Sequence, residues 1–177
     1  KENIAAYATR MRKGITTENP ILMGLSFGGM MSIEIARQIP VEKIIQVSSI
    51  KSVKELPRWM KLAGALRLNK MLPMRSFKIT EPIQNRFIGI TQPEEIEMVR
   101  NYRKNAPQVY MDWAINEVLN WRNDWQPPAI FQVHGDADRI FPINNLSPDY
   151  TIKNGGHFMI MNKAAEVNEA LQRILAN

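Results

Sequence analysis

The chain of 177 residues is long enough for one domain with its own core, and its 45% hydrophobic and 23% charged residues are ordinary values for a globular protein. It contains no cysteine, which excludes disulfides, thiol catalysis and cysteine-bound zinc. A reducing compartment is compatible with this, and a cytoplasmic location is the expectation. The longest apolar run, residues 21–31, is interrupted by glycines and is too short to span a membrane.

The formal net charge of +6 is unevenly distributed. Residues 51–104 hold 12 of the 23 Lys and Arg but only 5 of the 17 Asp and Glu, a local net charge of +7. A solvated helical surface is the plainer explanation, and attraction of anionic small molecules is the alternative. The segment contains no nucleic-acid recognition motif, so nucleic-acid binding is not expected. Nothing in the sequence indicates the oligomeric state.

The first part of the chain, residues 1–50, alternates between helix and strand patterns. Its apolar spacing changes from helical period to short apolar runs, which are typical of buried parallel strands. The predicted elements are a helix over 4–11, a strand over 21–23, a helix over 30–39 and a strand over 43–47.

The middle part, residues 51–126, is predicted to be helical. Its prolines stand near the starts of helical stretches, where proline is tolerated, and residues 107–121 carry apolar side chains at helical spacing. The last part, residues 127–177, returns to strands over 129–133 and 150–152 and a closing helix over 164–175. Strands alternating with helices predict a parallel α/β sheet, and a long helical insertion between two strands predicts a cap or lid.

The segment Gly24-Leu25-Ser26-Phe27-Gly28 matches the pattern G-x-S-x-G between a predicted strand and a predicted helix. In this pattern the serine occupies a tight, strained bend, and side chains at Gly24 and Gly28 are expected to clash. The amino terminus of the following helix favours developing negative charge, so the N–H of Phe27 is a candidate oxyanion donor. A glycine-rich turn with an inert serine is the alternative.

A serine nucleophile needs a base, and the chain has two histidines. His157 follows the paired Gly155-Gly156, which allow a loop over the sheet edge, and is the predicted base. His134 ends a predicted strand and is better explained as a histidine satisfied within the fold. Asp136 and Asp138 are both candidates for the acid that orients the base, and spacing alone does not choose between them. The pair could also form a turn or a weak metal site.

These residues together resemble the α/β-hydrolase family. The order Ser26, Asp138, His157 is the order of that family. The stretch His134-Gly135-x-x-Asp138-x-x-x-Pro142 resembles the loop after its penultimate core strand, in which the catalytic acid has the position of Asp138. The resemblance implies an α/β fold with a mostly parallel sheet, a helical cap inserted between strands, and a reaction that needs no metal and no cofactor.

Family members have several strands before the serine and a loop that supplies a second oxyanion donor. Before the predicted strand over 21–23 this chain offers at most one helix, so the resemblance implies that the N-terminal strands are absent from it. Either they lie upstream in a longer parent, or the protein lacks them. The predicted function is that of a serine hydrolase, similar to an esterase or lipase, that cleaves an ester-like acyl bond in a small-molecule substrate. A thioesterase or carbon–carbon bond hydrolase using the same triad is one alternative, and a non-catalytic ligand-binding protein is another.

The predicted cap is rich in tryptophan and methionine, which either line an apolar acyl pocket or form simple core. Its positive charge favours an anionic leaving group such as a coenzyme A thioester. The residues concerned are Trp59, Met60, Met71, Met74, Met98, Met111, Trp113, Trp121 and Trp125.

Overall fold

The strands pair in parallel in the order β1-β2-β3-β4. The computed structural model describes residues 2–68 and 81–176. Its strands are β1 (Ile21–Leu25), β2 (Lys43–Val47), β3 (Ile130–Gly135) and β4 (Tyr150–Ile152). Its helices are α1 (Ile4–Met11), α2 (Phe27–Ala36), α3 (Arg58–Ala65), α4 (Glu81–Ile88), α5 (Pro93–Asn105), α6 (Gln108–Asn120), α7 (Met159–Asn162) and α8 (Ala164–Leu175). The predicted α/β class with a parallel sheet is confirmed.

Helices cover both faces of the sheet because successive side chains of a strand point to opposite sides. On one face, Ile44 of β2 packs with Met30 and Ile33 of α2. On the other face, its neighbour Ile45 packs with Val167 of α8. All five residues of β2 are buried, as expected for an inner strand of a parallel sheet. The core is therefore divided by the sheet into two layers.

The inserted helices, α3 to α6, connect β2 to β3 and join the layer that contains α2. Trp121, which follows α6, is buried in this layer and its Nε1 donates to Oε1 of Glu34 at 2.8 Å. Asn123 donates to the carbonyl oxygens of Lys51 and Trp125 at 2.8 and 2.7 Å. Both ends of the insertion are thus tied to the sheet layer. Among the described residues, no helix is both long and apolar enough to cross a membrane.

The bounds of α1, β2, β4 and α8 agree with the sequence prediction, whereas the elements around Ser26 differ. Strand β1 runs to Leu25 instead of ending at Met23, and α2 spans Phe27–Ala36 instead of residues 30–39. Strand β3 also differs, since it spans Ile130–Gly135 instead of residues 129–133. Glycines 28 and 29 have poor intrinsic helix propensity, which hid the first turn of α2. Close packing of that turn against β2 overrides the propensity.

The described tryptophans and methionines of the insertion lie in different environments. Trp121 and Met60 are buried in the core beside α2, and Trp59 and Trp125 are partly exposed at the surface. Trp113 packs against Phe27, the residue after Ser26. Residues Met71 and Met74 lie outside the described part of the chain.

Candidate active site

Ser26 occupies the bend between β1 and α2 in a strained conformation. Its φ is 51° and its ψ is −117°, a region that residues with a side chain rarely adopt. Neighbouring groups hold this backbone in place. The N–H of Ser26 donates to the carbonyl of Val47 at 2.9 Å, and its carbonyl accepts from the N–H of Gly29 at 3.0 Å and from Oγ of Ser49 at 2.6 Å. The strain is therefore imposed by β2 and the loop that follows it.

The glycines of the bend have different roles. A Cβ at Gly24 would overlap the backbone of Gly28, so the expected clash is found there. A Cβ at Gly28 itself would have no heavy atom within 4 Å, so the expectation of a clash at this position was wrong. The crowded position is instead Gly29, where a Cβ would lie 2.5 Å from Oγ of Ser49. The helix turns Gly28 toward open space and Gly29 toward the sheet.

The loops that carry Asp138 and His157 pack backbone against backbone at the carboxyl end of β3 and β4. A Cβ at Gly135 would overlap the carbonyl of Gly155, and the N–H of Ala137 donates to that same carbonyl at 3.0 Å. Oδ1 of Asp136 accepts from the N–H of Asn154 at 2.6 Å. Asp136 therefore joins the two loops and does not contact a histidine side chain.

Three side chains from these separate loops meet in a hydrogen-bonded row. Nε2 of His157 lies 2.9 Å from Oγ of Ser26, and its Nδ1 lies 2.8 Å from Oδ2 of Asp138. Asp138 and His157 are 4% and 8% exposed, so solvent reaches this row mainly from the side of Ser26. His157 lies 131 positions from Ser26 and 19 positions from Asp138 along the chain, so the fold alone brings the three residues together.

Asp138 is held by backbone and side chains together. Its Oδ1 accepts from the N–H groups of Ile140 and Phe141 at 2.8 and 3.0 Å. Burial by itself raises the pKa of the Asp138 carboxyl, but hydrogen bonds with His134 and His157 outweigh burial and hold the pKa well below its ordinary value. Asp138 is therefore a carboxylate throughout the neutral range.

His134 also belongs to this cluster, which the sequence analysis did not foresee. It is fully buried, as expected for a histidine within the fold, and its Nε2 lies 2.8 Å from the carbonyl oxygen of Phe141. The same Nε2 lies 3.3 Å from Oδ2 of Asp138. The available signal was the spacing of four residues between His134 and Asp138 across the sharp turn that ends β3.

Phe27 begins α2 beside the serine. The first N–H groups of a helix have no acceptor within the helix, so the N–H of Phe27 is not used by α2 itself. Its ring packs edge-on against Trp113 of α6 with ring centres 5.6 Å apart, and Trp113 packs against Tyr7 of α1 at 4.8 Å. The inserted helices thus reach the residue next to Ser26. Within residues 2–68 and 81–176, no group of three or more acidic or histidine side chains is arranged to hold a metal ion.

Comparisons with protein-family models and with curated protein sequences give no match. Solved structures do match. A thermophilic esterase from Thermogutta terrifontis is 19% identical, with a TM-score of 0.73 over 99% of this chain and 72% of that chain. The 2-hydroxy-6-oxo-6-phenylhexa-2,4-dienoate hydrolase from Rhodococcus sp. strain RHA1 is 14% identical, with a TM-score of 0.68 over 99% and 73%. An epoxide hydrolase from Bacillus megaterium is 14% identical, with a TM-score of 0.66 over 99% and 76%.

These three structures are named for different reactions but share one architecture with this chain. Identities this low speak for the fold and not for a substrate. The parallel sheet, the bend at Ser26 and the alignment of 99% of this chain with each of the three structures agree in one conclusion: the chain has the α/β-hydrolase fold.

Proposed function

We propose that the chain is a serine hydrolase that cleaves an ester-like acyl bond, with Ser26 as nucleophile, His157 as general base and acid, and Asp138 as the orienting carboxylate. The observation that carries the proposal is the position of His157, whose two ring nitrogens lie within hydrogen-bond distance of Ser26 and Asp138 at once. That arrangement is the geometric signature of an activated serine.

The acceptors in this row indicate which ring nitrogen of His157 carries a hydrogen. The carboxylate of Asp138 can only accept, so Nδ1 of His157 carries the hydrogen of that bond. In the neutral ring Nε2 then has a free lone pair, which accepts the hydroxyl hydrogen of Ser26. Asp138 therefore selects the tautomer in which His157 acts as a base toward Ser26.

The reaction proceeds in two acyl transfers. Oγ of Ser26 attacks the carbonyl carbon of the substrate while its proton passes to Nε2 of His157. The bond to the leaving group then breaks, the leaving group takes the proton from His157, and the acyl group remains esterified to Ser26. Water attacks this ester, gives a proton to His157 and releases the acid, and the proton returns to Ser26. Asp138 stays ionised and stabilises the imidazolium in both halves.

The oxyanion formed in each half is stabilised next to α2. The N–H of Phe27 and the positive end of the α2 dipole favour negative charge close to Ser26. The strained backbone of Ser26 supports this, because the abrupt bend from β1 into α2 brings the helix amino terminus beside the nucleophile.

The inserted helices are proposed to act as a cap that selects the substrate. Trp113 and Phe27 form an aromatic contact beside the nucleophile, which favours an apolar acyl group. The net charge of +7 over residues 51–104 favours a substrate with an anionic leaving group, as a thioesterase acting on a coenzyme A derivative would use. Hydrolysis of neutral and anionic esters of equal acyl length tests this preference. Equal rates for both at low salt would contradict it.

Labelling with a fluorophosphonate, read by intact mass and peptide mapping, tests the proposed nucleophile. We expect one label, on Ser26, and none on the Ser26→Ala variant. Ser48→Ala is a matched control, because Ser48 also has a positive φ and follows the neighbouring strand but is fully buried. The control is expected to label like the unaltered chain. A folded chain that takes no label, or binds a small ester without turnover, would support a ligand-binding protein instead.

A further inference from the structure

Oδ2 of Asp138 faces two histidines. Nδ1 of His157 lies 2.8 Å away and Nε2 of His134 lies 3.3 Å away, and the side chains of His134 and Asp138 are completely buried. We propose that His134 is a positioning residue. Its Nε2–H holds Oδ2 of Asp138 in place and competes with Nδ1–H of His157 for the negative charge of that oxygen. The inference rests on the proposed function, in which Asp138 orients His157.

The hydrogen on His134 can be assigned from its neighbours. The carbonyl oxygen of Phe141, at 2.8 Å, can only accept, so Nε2 carries the hydrogen, and the same nitrogen lies 3.3 Å from Oδ2 of Asp138. Nδ1 of His134 is buried and has no hydrogen-bond partner within the described part of the chain. A second proton there would be a buried donor without a protein acceptor, which is costly. His134 is therefore a neutral donor at one fixed nitrogen.

Phe141 couples this donor to the rest of the row. Its N–H donates to Oδ1 of Asp138, its carbonyl accepts from His134, and its ring packs edge-on against the ring of His157 with centres 5.5 Å apart. Phe141 is also almost completely buried, with 1% exposure. His134 thus closes a small cycle through Phe141 and Asp138, and that cycle fixes both oxygens of the carboxylate.

The second donor also has an electrostatic consequence for His157. A carboxylate oxygen that accepts from two donors attracts a proton on His157 less than one that accepts from a single donor. Among the described residues, the ionisable groups that interact with His134 are Asp138, on the loop after β3, and Glu55, from the segment before α3. Asp138 in turn contacts His157. Removing the donor therefore favours the imidazolium of His157 and loosens Asp138 at the same time.

Two substitutions separate these effects from a loss of folding. His134→Leu removes the donor, and His134→Gln retains an N–H near the position of Nε2. The matched control is Gln132→Leu, because Gln132 lies two residues earlier on the same face of β3, is equally buried and bonds Ser49 and Glu55 rather than Asp138. Circular dichroism and thermal melting establish that each variant is folded before any other comparison.

The pH profile of ester hydrolysis distinguishes positioning from a merely structural role. For His134→Leu we expect kcat to fall about tenfold with KM unchanged, and the acidic limb of kcat/KM to move upward by about half a pH unit. His134→Gln should keep most of the kcat and an acidic limb close to that of the unaltered chain. Gln132→Leu should melt at a lower temperature, but the acidic limb of its kcat/KM profile should lie at the same pH as in the unaltered chain. An unchanged kcat and limb in folded His134→Leu would overturn the inference.

A spectroscopic measurement decides the question even without turnover. Nitrogen NMR of the labelled histidines should show His134 as the Nε2–H tautomer, together with a low-field proton on Nδ1 of His157. That proton should shift in His134→Leu and return in His134→Gln. The opposite tautomer at His134, or no shift, would contradict the inference. Absence of labelling at Ser26 would contradict the proposed function separately.

Discussion

Two regions reverse the usual distribution of polar and apolar side chains: the carboxyl end of the sheet beside Ser26, here called the edge, and the inserted helices. At the edge, polar side chains are completely buried: Gln46, Ser48, Ser49, Gln132 and His134. On the inserted helices, large apolar side chains are exposed: Trp59, Leu62, Leu66, Ile83 and Phe87. Exposed apolar residues are common on protein surfaces, whereas buried polar residues are costly and are informative. The role of the edge therefore depends on what its buried polar groups bind.

The buried polar groups bind backbone near the nucleophile. Gln46 donates to the carbonyl of Gly29 at 2.9 Å, Gln132 donates to the carbonyl of Ser49 at 2.9 Å, and Ser49 donates to the carbonyl of Ser26. These bonds maintain the strained bend and the loop after β2. Substitutions should therefore affect chemistry strongly where the side chain contacts Ser26, Asp138 or His157, and elsewhere, at the edge or on the inserted helices, only where they displace one of these residues.

The largest effect is expected from Asp138→Asn. An amide can retain the two backbone bonds to Oδ1 but cannot select the required tautomer of His157, so kcat should fall about 10⁴-fold. Steady-state kinetics with a chromogenic ester measure the loss. A decrease of less than about tenfold would mean that Asp138 does not orient the base.

Asp138→Asn should also change how the free energy of unfolding depends on pH. The folded-state pKa of Asp138 is lowered, so its contribution is present above the ordinary carboxyl pKa of about 3.9 and is lost as the pH falls from there toward the folded-state pKa. Urea unfolding of both proteins should show a constant difference from pH 7 to 5 that shrinks below pH 4. A difference independent of pH down to acid unfolding would contradict the lowered pKa.

The next largest effect is expected from a matched pair of glycine substitutions. Gly24→Ala inserts a methyl group into the backbone of Gly28 and should cost about 3 kcal/mol in the free energy of unfolding. Gly28→Ala enters open space in a helix and should be neutral or stabilise by up to about 1 kcal/mol. Denaturant titration measures both. Equal losses at the two positions would show that the bend needs both glycines.

Much of the fold could be predicted from sequence because it depends on local pattern. Apolar runs and helical spacing gave β2, β4, α1 and α8 with their observed bounds. The role of Gly28 and the place of His134 were missed, because both depend on directions in space that spacing does not encode. Choosing Asp138 over Asp136 required the family resemblance. The contact of Asp136 with Asn154 explains why two similar acids in one loop have different partners.

An intermediate effect is expected where the inserted helices touch the loop of His157. Gly89 has a φ of 80°, and a Cβ there would lie 2.9 Å from Cα of Gly156, while Phe158 donates to the carbonyl of Ile88. Gly89→Ala should cost about 1–2 kcal/mol and lower kcat several-fold by displacing His157.

Gly64→Ala is the control for this contact. Its Cβ would meet the carbonyl of Leu119 at 2.5 Å, so it is more crowded than Gly89 but lies between α3 and α6. Thermal melting and kinetics on both variants separate the outcomes. If Gly64→Ala lowers kcat as much as Gly89→Ala at equal loss of stability, general loosening of the inserted helices and not displacement of His157 would be the cause.

The smallest effect is expected from Glu55→Gln, at the junction between the edge and the inserted helices. Burial raises the pKa of Glu55, although the N–H of Lys51 and the amide of Gln132 bond its Oε2. Since the folded-state pKa lies above the unfolded value, the contribution of Glu55 is full below about 4.3 and declines as the pH rises through the folded-state pKa. Glu55→Gln keeps an acceptor oxygen without the charge, so its stability should lack this decline. Urea unfolding of both proteins between pH 4 and 8 measures the difference. If the free energies of unfolding of the two proteins have the same pH dependence, the hydrogen-bond donors of Glu55 fully offset the cost of burying its charge.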